Sequence, residues 1–184
     1  HDDDIDAFSQ LVNYVFMERR FGVFDKAIDR YNILDPKDIS LYKRRRTDVA
    51  IIREGTHYKM LKVHYDIQSD TFIIIEDLTF RDSADIALEK LKEFAADSNI
   101  VVDATKDNVL YNSFLLQFSR IIPNTDSRSL MSQLTQIQSG LSMKRIKCGK
   151  NSIEFRQDLD TVALDKRALE RGVEKLEGNE GLVA

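Results

Sequence analysis

Residues able to do chemistry are concentrated in a few places along this chain. Two segments carry positive charge with no acid among them: Lys43-Arg44-Arg45-Arg46, and Lys144-Arg145 with Lys147 and Lys150. Lysine and arginine rows of this kind grip a phosphate backbone by displacing its counterions, and Tyr42 or Tyr58 could add a surface for base stacking. Carboxylates stand where two apolar runs stop, with Glu76-Asp77 after Phe72–Ile75 and Asp103 after Ile100-Val101-Val102. Cys148 lies between Lys147 and Lys150, cations that would lower a thiol's pKa, yet no histidine is near it in sequence to act as a base. His57 and His64 fall on opposite faces of one expected strand and cannot share a metal. The 7 glycines are scattered and build no phosphate cradle.

Composition bounds what these groups can belong to. A chain of 184 residues that is 42% hydrophobic fits one domain with a real core, or one domain with an appended arm. No apolar run approaches the roughly 20 residues a bilayer crossing needs, and the acidic start does not read as a signal peptide, so no membrane contact is expected. The chain begins with His1, which reads as a processed or excised piece. A single cysteine excludes an internal disulfide framework and a cysteine-based zinc site, and leans toward a reducing, intracellular setting, cytoplasmic or nuclear. Net charge of −4 argues against a wholly basic nucleic-acid wrapper while leaving room for a local basic face.

The elements that must position these residues follow from periodicity. Ile5, Phe8, Leu11, Val12 and then Phe24, Ala27, Ile28 read as an αα-hairpin over residues 4–33, closed by Leu34-Asp35-Pro36. Val49–Ile52, Tyr58–Tyr65 and Phe72–Ile75, separated by short turns, read as an antiparallel meander. Three consecutive isoleucines favour extended backbone, and an unbroken apolar run suggests a strand covered on both faces. Ala87, Leu91, Phe94 and Ala95 share one side of a helix opened by Asp82 or Ser83. After the Ile100 strand, a helix from Asp107 to Ile122 stopped by Pro123 is expected, then a second carrying Leu130, Leu134 and Ile137. Gly149-Lys150-Asn151 reads as the turn of a basic β-hairpin between Met143–Cys148 and Ser152–Arg156. A charged helix from Val162 to about Leu176 and a loose tail follow.

The expected fold class is therefore α+β: a mainly antiparallel sheet with helices packed on it, a C-terminal basic β-hairpin and a terminal charged helix. In domain terms, residues 1–160 form one unit, with the helical hairpin 4–33 and a sheet-helix core 47–156, and residues 161–184 form a terminal helix and tail. Three strands, a helix, a strand and another helix is an order that resembles ribonuclease-H-like folds. That resemblance implies carboxylates gathered around two divalent metals, each stabilising a different oxygen of the reacting phosphate. Asp48, Asp77, Asp85 and Asp103 are then the candidates, with Asp107 close to Asp103, and magnesium is the implied cofactor. A restriction-type arrangement would instead want Glu-x-Lys, and Glu76 is followed by Asp77-Leu78. The helix–three strands–helix portion also resembles double-stranded-RNA-binding folds, but Arg81-Asp82-Ser83-Ala84-Asp85 stands where phosphate-gripping lysines belong.

Acids at strand ends commonly form turns and helix caps, and Asp48 follows directly on four basic residues. The preferred expectation is therefore a non-enzymatic binding or assembly domain of a larger protein, with no cofactor. It would contact nucleic acid through Lys43, Arg44, Arg45, Arg46, Lys144, Arg145, Lys147 and Lys150. A protein partner, or a second copy, would dock on the C-terminal helix. A metal-dependent nuclease using Asp48, Asp77 and Asp103 is the alternative.

Overall fold

A computed structural model describes residues 32–42, 45–104, 107–125, 128–162 and 171–172. The expected αα-hairpin, the basic residues Lys43 and Arg44, and the charged helix beyond Val162 lie largely or wholly outside them.

The described elements run β1 (Ile33–Leu34), α1 (Pro36–Ile39), β2 (Arg45–Glu54), β3 (His57–Asp66), β4 (Thr71–Arg81), α2 (Ala84–Ala95), β5 (Asn99–Asp103), α3 (Asn108–Leu115), β6 (Ile121–Asn124), α4 (Leu130–Ser142), β7 (Ile146–Asn151) and α5 (Ile153–Thr161). All the strands belong to one 7-stranded sheet in the order β1-β7-β4-β3-β2-β5-β6. The meander is present: β2, β3 and β4 pair antiparallel, and Gly55 takes φ 61 in the two-residue turn from β2 to β3, a backbone conformation that favours glycine. Every other pairing is parallel, so the sheet is mixed and not mainly antiparallel. Helical crossovers make the difference, because each strand that follows a helix is carried back to run alongside its neighbour.

Two further expectations are corrected. Ile121–Asn124 is an edge strand on β5, not the end of a helix, and an edge position tolerates the missing N–H of Pro123. The C-terminal β-hairpin is absent: β7 runs straight through Gly149 and Ser152–Arg156 opens α5. Gly149 serves close approach instead of a turn, since a Cβ there would stand 3.0 Å from the Ile75 carbonyl oxygen of β4.

Helices cover both faces. Val49, Ile51, Met60, Ile100 and Val102 pack under α2 and α3 through Leu91, Phe94, Leu110 and Phe114. On the other face Ile74 and Cys148 pack against Leu134, Leu141, Phe155 and Leu159 of α4 and α5. Because side chains alternate along a strand, Ile52, Lys59, Leu61, Asp77 and Asp103 share this second face.

Candidate active site

The register of β2 against β5 decides which carboxylates can meet. Asp48 pairs with Asn99 and Ile51 with Val102, so Asp103 stands beside Ile52. Asp48 lies four residues back along β2, about 13 Å away at roughly 3.3 Å per residue. Its carboxylate is engaged there, accepting from Arg46 Nε at 2.9 Å and Asn99 Nδ2 at 2.7 Å, which ties β2 to β5. Asp85 is exposed in the first turn of α2, over the opposite face of the sheet. Asp107 receives a bidentate pair from Arg53, at 2.7 and 2.6 Å, and caps α3 by accepting from the Leu110 N–H at 3.0 Å. That hydrogen-bonded carboxylate raises the Arg53 pKa above its ordinary value. Asp48, Asp85 and Asp107 therefore do not join Asp103, against the gathering of carboxylates that the resemblance implies.

Other residues do. Lys59, on β3, pairs with Ile52 of β2 and reaches from the same face to α5, where its ammonium pairs with Asp158. Asp77 reaches α5 from β4 and accepts from the Phe155 N–H at 2.5 Å, supplying a bond that the first turn of a helix otherwise lacks. Burial pushes the Asp77 carboxyl above its ordinary range and Glu154 adds to this, while the Phe155 and Glu154 N–H groups and Lys59 act against it. Burial lowers the Lys59 pKa, opposed by the charges of Glu154 and Asp77. The centre thus comprises Asp77, Glu154 and Asp158 around Lys59, with Asp103 two strand spacings, about 10 Å, across the sheet.

Asp77 and Asp103 were marked in the sequence. Glu154, Asp158 and Lys59 were not. Glu154 and Asp158 are four apart and share a helix face, a legible signal that the expected hairpin at Ser152–Arg156 concealed. No comparable mark distinguishes Lys59 among the basic residues of its strand.

All-oxygen donors of this kind suit magnesium or manganese. The arrangement does not fit a bound cation as it stands. Asp77 is tied to the α5 backbone and Asp158 to an ammonium, and among the described residues no three His, Cys, Asp or Glu side chains converge to hold a metal.

The basic runs are brought partly together. Arg46 lies over the Tyr65 ring, which stacks on Phe72 at 4.7 Å, and Arg145, joined to Phe72 through its carbonyl oxygen, pairs with Asp70 at 3.1 Å. Arg45 and Lys144 are exposed nearby. Lys147 instead bonds the Tyr42 hydroxyl and Lys150 pairs with Asp35, at the far edge of the sheet. A cleft of about 660 Å³, floored by Leu61, Val63 and Ile74, runs from Asp70 and Phe72 to Phe155, and none of Asp77, Asp103 or Asp158 lines it. Cys148 is fully buried against Ile74 and Leu134 and is no accessible nucleophile.

No protein-family model matches this sequence, and no curated protein matches it. Solved structures do. The large terminase of the thermophilic bacteriophage D6E superposes with a TM-score of 0.68 at 12% identity, over 86% of this chain and 41% of the phage protein, so the chain spans about two fifths of that relative's length. The nuclease domain of the P22 large terminase superposes at 0.59 with 13% identity, over 76% of each chain. The large-terminase nuclease domain of bacteriophage SPP1, solved with bound manganese, superposes at 0.53 with 13% identity, over 80% of this chain and 88% of that one. The expectation of a non-enzymatic binding module falls with this finding, because the neighbours that share the architecture are nuclease domains. The chain has the fold of phage large-terminase nuclease domains.

Proposed function

We propose that this chain is a nuclease domain of ribonuclease-H-like architecture, cutting DNA as part of a longer terminase-like protein, with its acidic centre at Asp103 and Asp158. The observation that carries the reading is the placement of Asp103, at the C-terminal end of β5, on the face where α5 brings Asp158 over β3. Both acids lie on the sheet face that floors the cleft, whose lining includes their neighbours Asn124 and Phe155.

The other end supplies the grip. Tyr65 stands six residues from Lys59 along β3, about 20 Å, a distance that a few nucleotides span. Arg46 and Arg145 flank its stack with Phe72, which is 42% exposed, a combination of cations and a ring face that suits a nucleic-acid strand. Arg46 and Arg145 hold phosphates, Phe72 meets a base, and Asp103 and Asp158 face the bond to be cut. Magnesium or manganese is the cofactor this reading calls for; Asp103 and Asp158 would be the residues to hold it, and Asp158 is paired to Lys59 in this structure.

The test is cleavage of plasmid and single-stranded DNA with magnesium or manganese. Asp103→Asn and Asp158→Asn should each abolish cutting, while Asp48→Asn and Asp85→Asn should retain it. Full activity in Asp103→Asn, or no cutting by the wild-type chain with either metal, overturns the reading.

A further inference from the structure

The acidic centre carries a cation of its own. Lys59 and Asp158 are only 18% and 13% exposed, and the charges of Glu154 and Asp77 also act on the ammonium. Negative charges held near one another in a half-buried place repel, and an opposite charge among them offsets that cost. In this chain the charge comes from a β-strand side chain whose backbone is fixed by pairing on both sides, opposite Ile52 in β2 and Thr79 in β4. The residue beside Asp103 on β2 is the apolar Ile52, so that strand adds no oxygen donor next to Asp103.

We propose that Lys59 is the resident counter-cation of this carboxylate cluster and competes with divalent metal for it. An ammonium and a divalent ion cannot both lie against Asp158, because each repels the other and both need the same oxygen atoms. The free protein therefore holds magnesium or manganese weakly, and removing the ammonium opens the oxygens to metal. The inference rests on the placement of the acidic centre argued above, but it concerns the protein without DNA. A chain that binds metal as stated and cuts nothing would refute the nuclease reading alone.

The experiment measures Mn²⁺ binding to the full chain by the loss of the free-ion electron paramagnetic resonance signal, with thermal unfolding in parallel. Lys59→Met, similar in length and uncharged, should bind Mn²⁺ at least tenfold more tightly than the wild type. Its melting temperature should rise with Mn²⁺ where the wild type's does not. Lys59→Arg, which keeps the charge, should behave as the wild type, and Lys59→Met/Asp158→Asn should lose the gain. If Lys59→Met is unfolded alone, recovery of its fold on adding Mn²⁺ supports the proposal, and failure to recover overturns it. Equal or weaker Mn²⁺ binding by folded Lys59→Met overturns it, and so does a gain that persists in the double variant.

Discussion

Asp107 is the sharpest test of how the acids divide between structure and chemistry, because it lies only four residues beyond Asp103. Its carboxylate has two duties: it caps α3 through the Leu110 N–H, and it receives both Nε and Nη2 of Arg53. A lost cap costs about 1 kcal/mol. Breaking an ion pair costs about 3–5 kcal/mol when it is fully buried and about 0–1 kcal/mol when it is exposed. Side-chain exposures of 24% for Arg53 and 18% for Asp107 place this pair between those limits, at about 2 kcal/mol. Asp107→Ala should therefore destabilise by about 3 kcal/mol, or roughly 6–12 °C in melting temperature for a chain of this size. Asp107→Asn keeps an oxygen for the cap and should lose about 2 kcal/mol. Urea unfolding gives both values, with an unchanged m-value showing that the unfolded states are comparable. An Asp107→Ala cost below about 1 kcal/mol would refute the pair, and equal costs for Ala and Asn would refute the cap. Cleavage should survive in Asp107→Asn.

Other expectations follow from single contacts. His64 is held to a pKa of about 4 by burial, and then by Arg45 and Lys62, while its Nδ1 shares a 2.8 Å hydrogen bond with Thr47. The unfolded imidazole takes its proton near the ordinary value, so between that value and about 4 the unfolded state binds more protons. Stability should be flat above neutral pH, fall by about 1–2 kcal/mol as the pH drops through this window, allowing for solvent screening, and level off below it. His64→Leu should flatten that slope in urea unfolding followed against pH, and an unchanged slope would refute the assignment. Lys144 closes α4 with φ 57, its N–H bonding the Leu141 carbonyl and the next N–H bonding that of Gly140. This is a helix stop that favours glycine, so Lys144→Gly should stabilise by about 1 kcal/mol in the same assay.

Much of the architecture was written in local pattern, and its failures have physical causes. The β2–β3–β4 meander, the turn at Gly55 and the α2 face of Ala87, Leu91, Phe94 and Ala95 follow from period and turn chemistry alone, and all are present. Ile121-Ile122 continues a helical stripe in sequence, and only the open edge of β5 turns it into a strand. Gly149-Lys150-Asn151 has the composition of a turn, yet its glycine answers to the approach of the β4 backbone, which no local pattern records. That misreading also hid Glu154 and Asp158. Asp48 and Asp103 both stand at strand termini in sequence. Only the register of two strands joined through a long connection shows that they sit at opposite ends of the same ladder.

The most direct measurement is an anomalous difference map at the manganese edge, from crystals of the chain grown with a DNA oligonucleotide and Mn²⁺. A manganese peak bonded to Asp103 and Asp158, with Lys59 swung away and the oligonucleotide along the cleft toward Phe72, is the predicted result. DNA lying on the α2 and α3 face, or manganese bound at Asp48 or Asp85 with Lys59 still paired to Asp158, would contradict it.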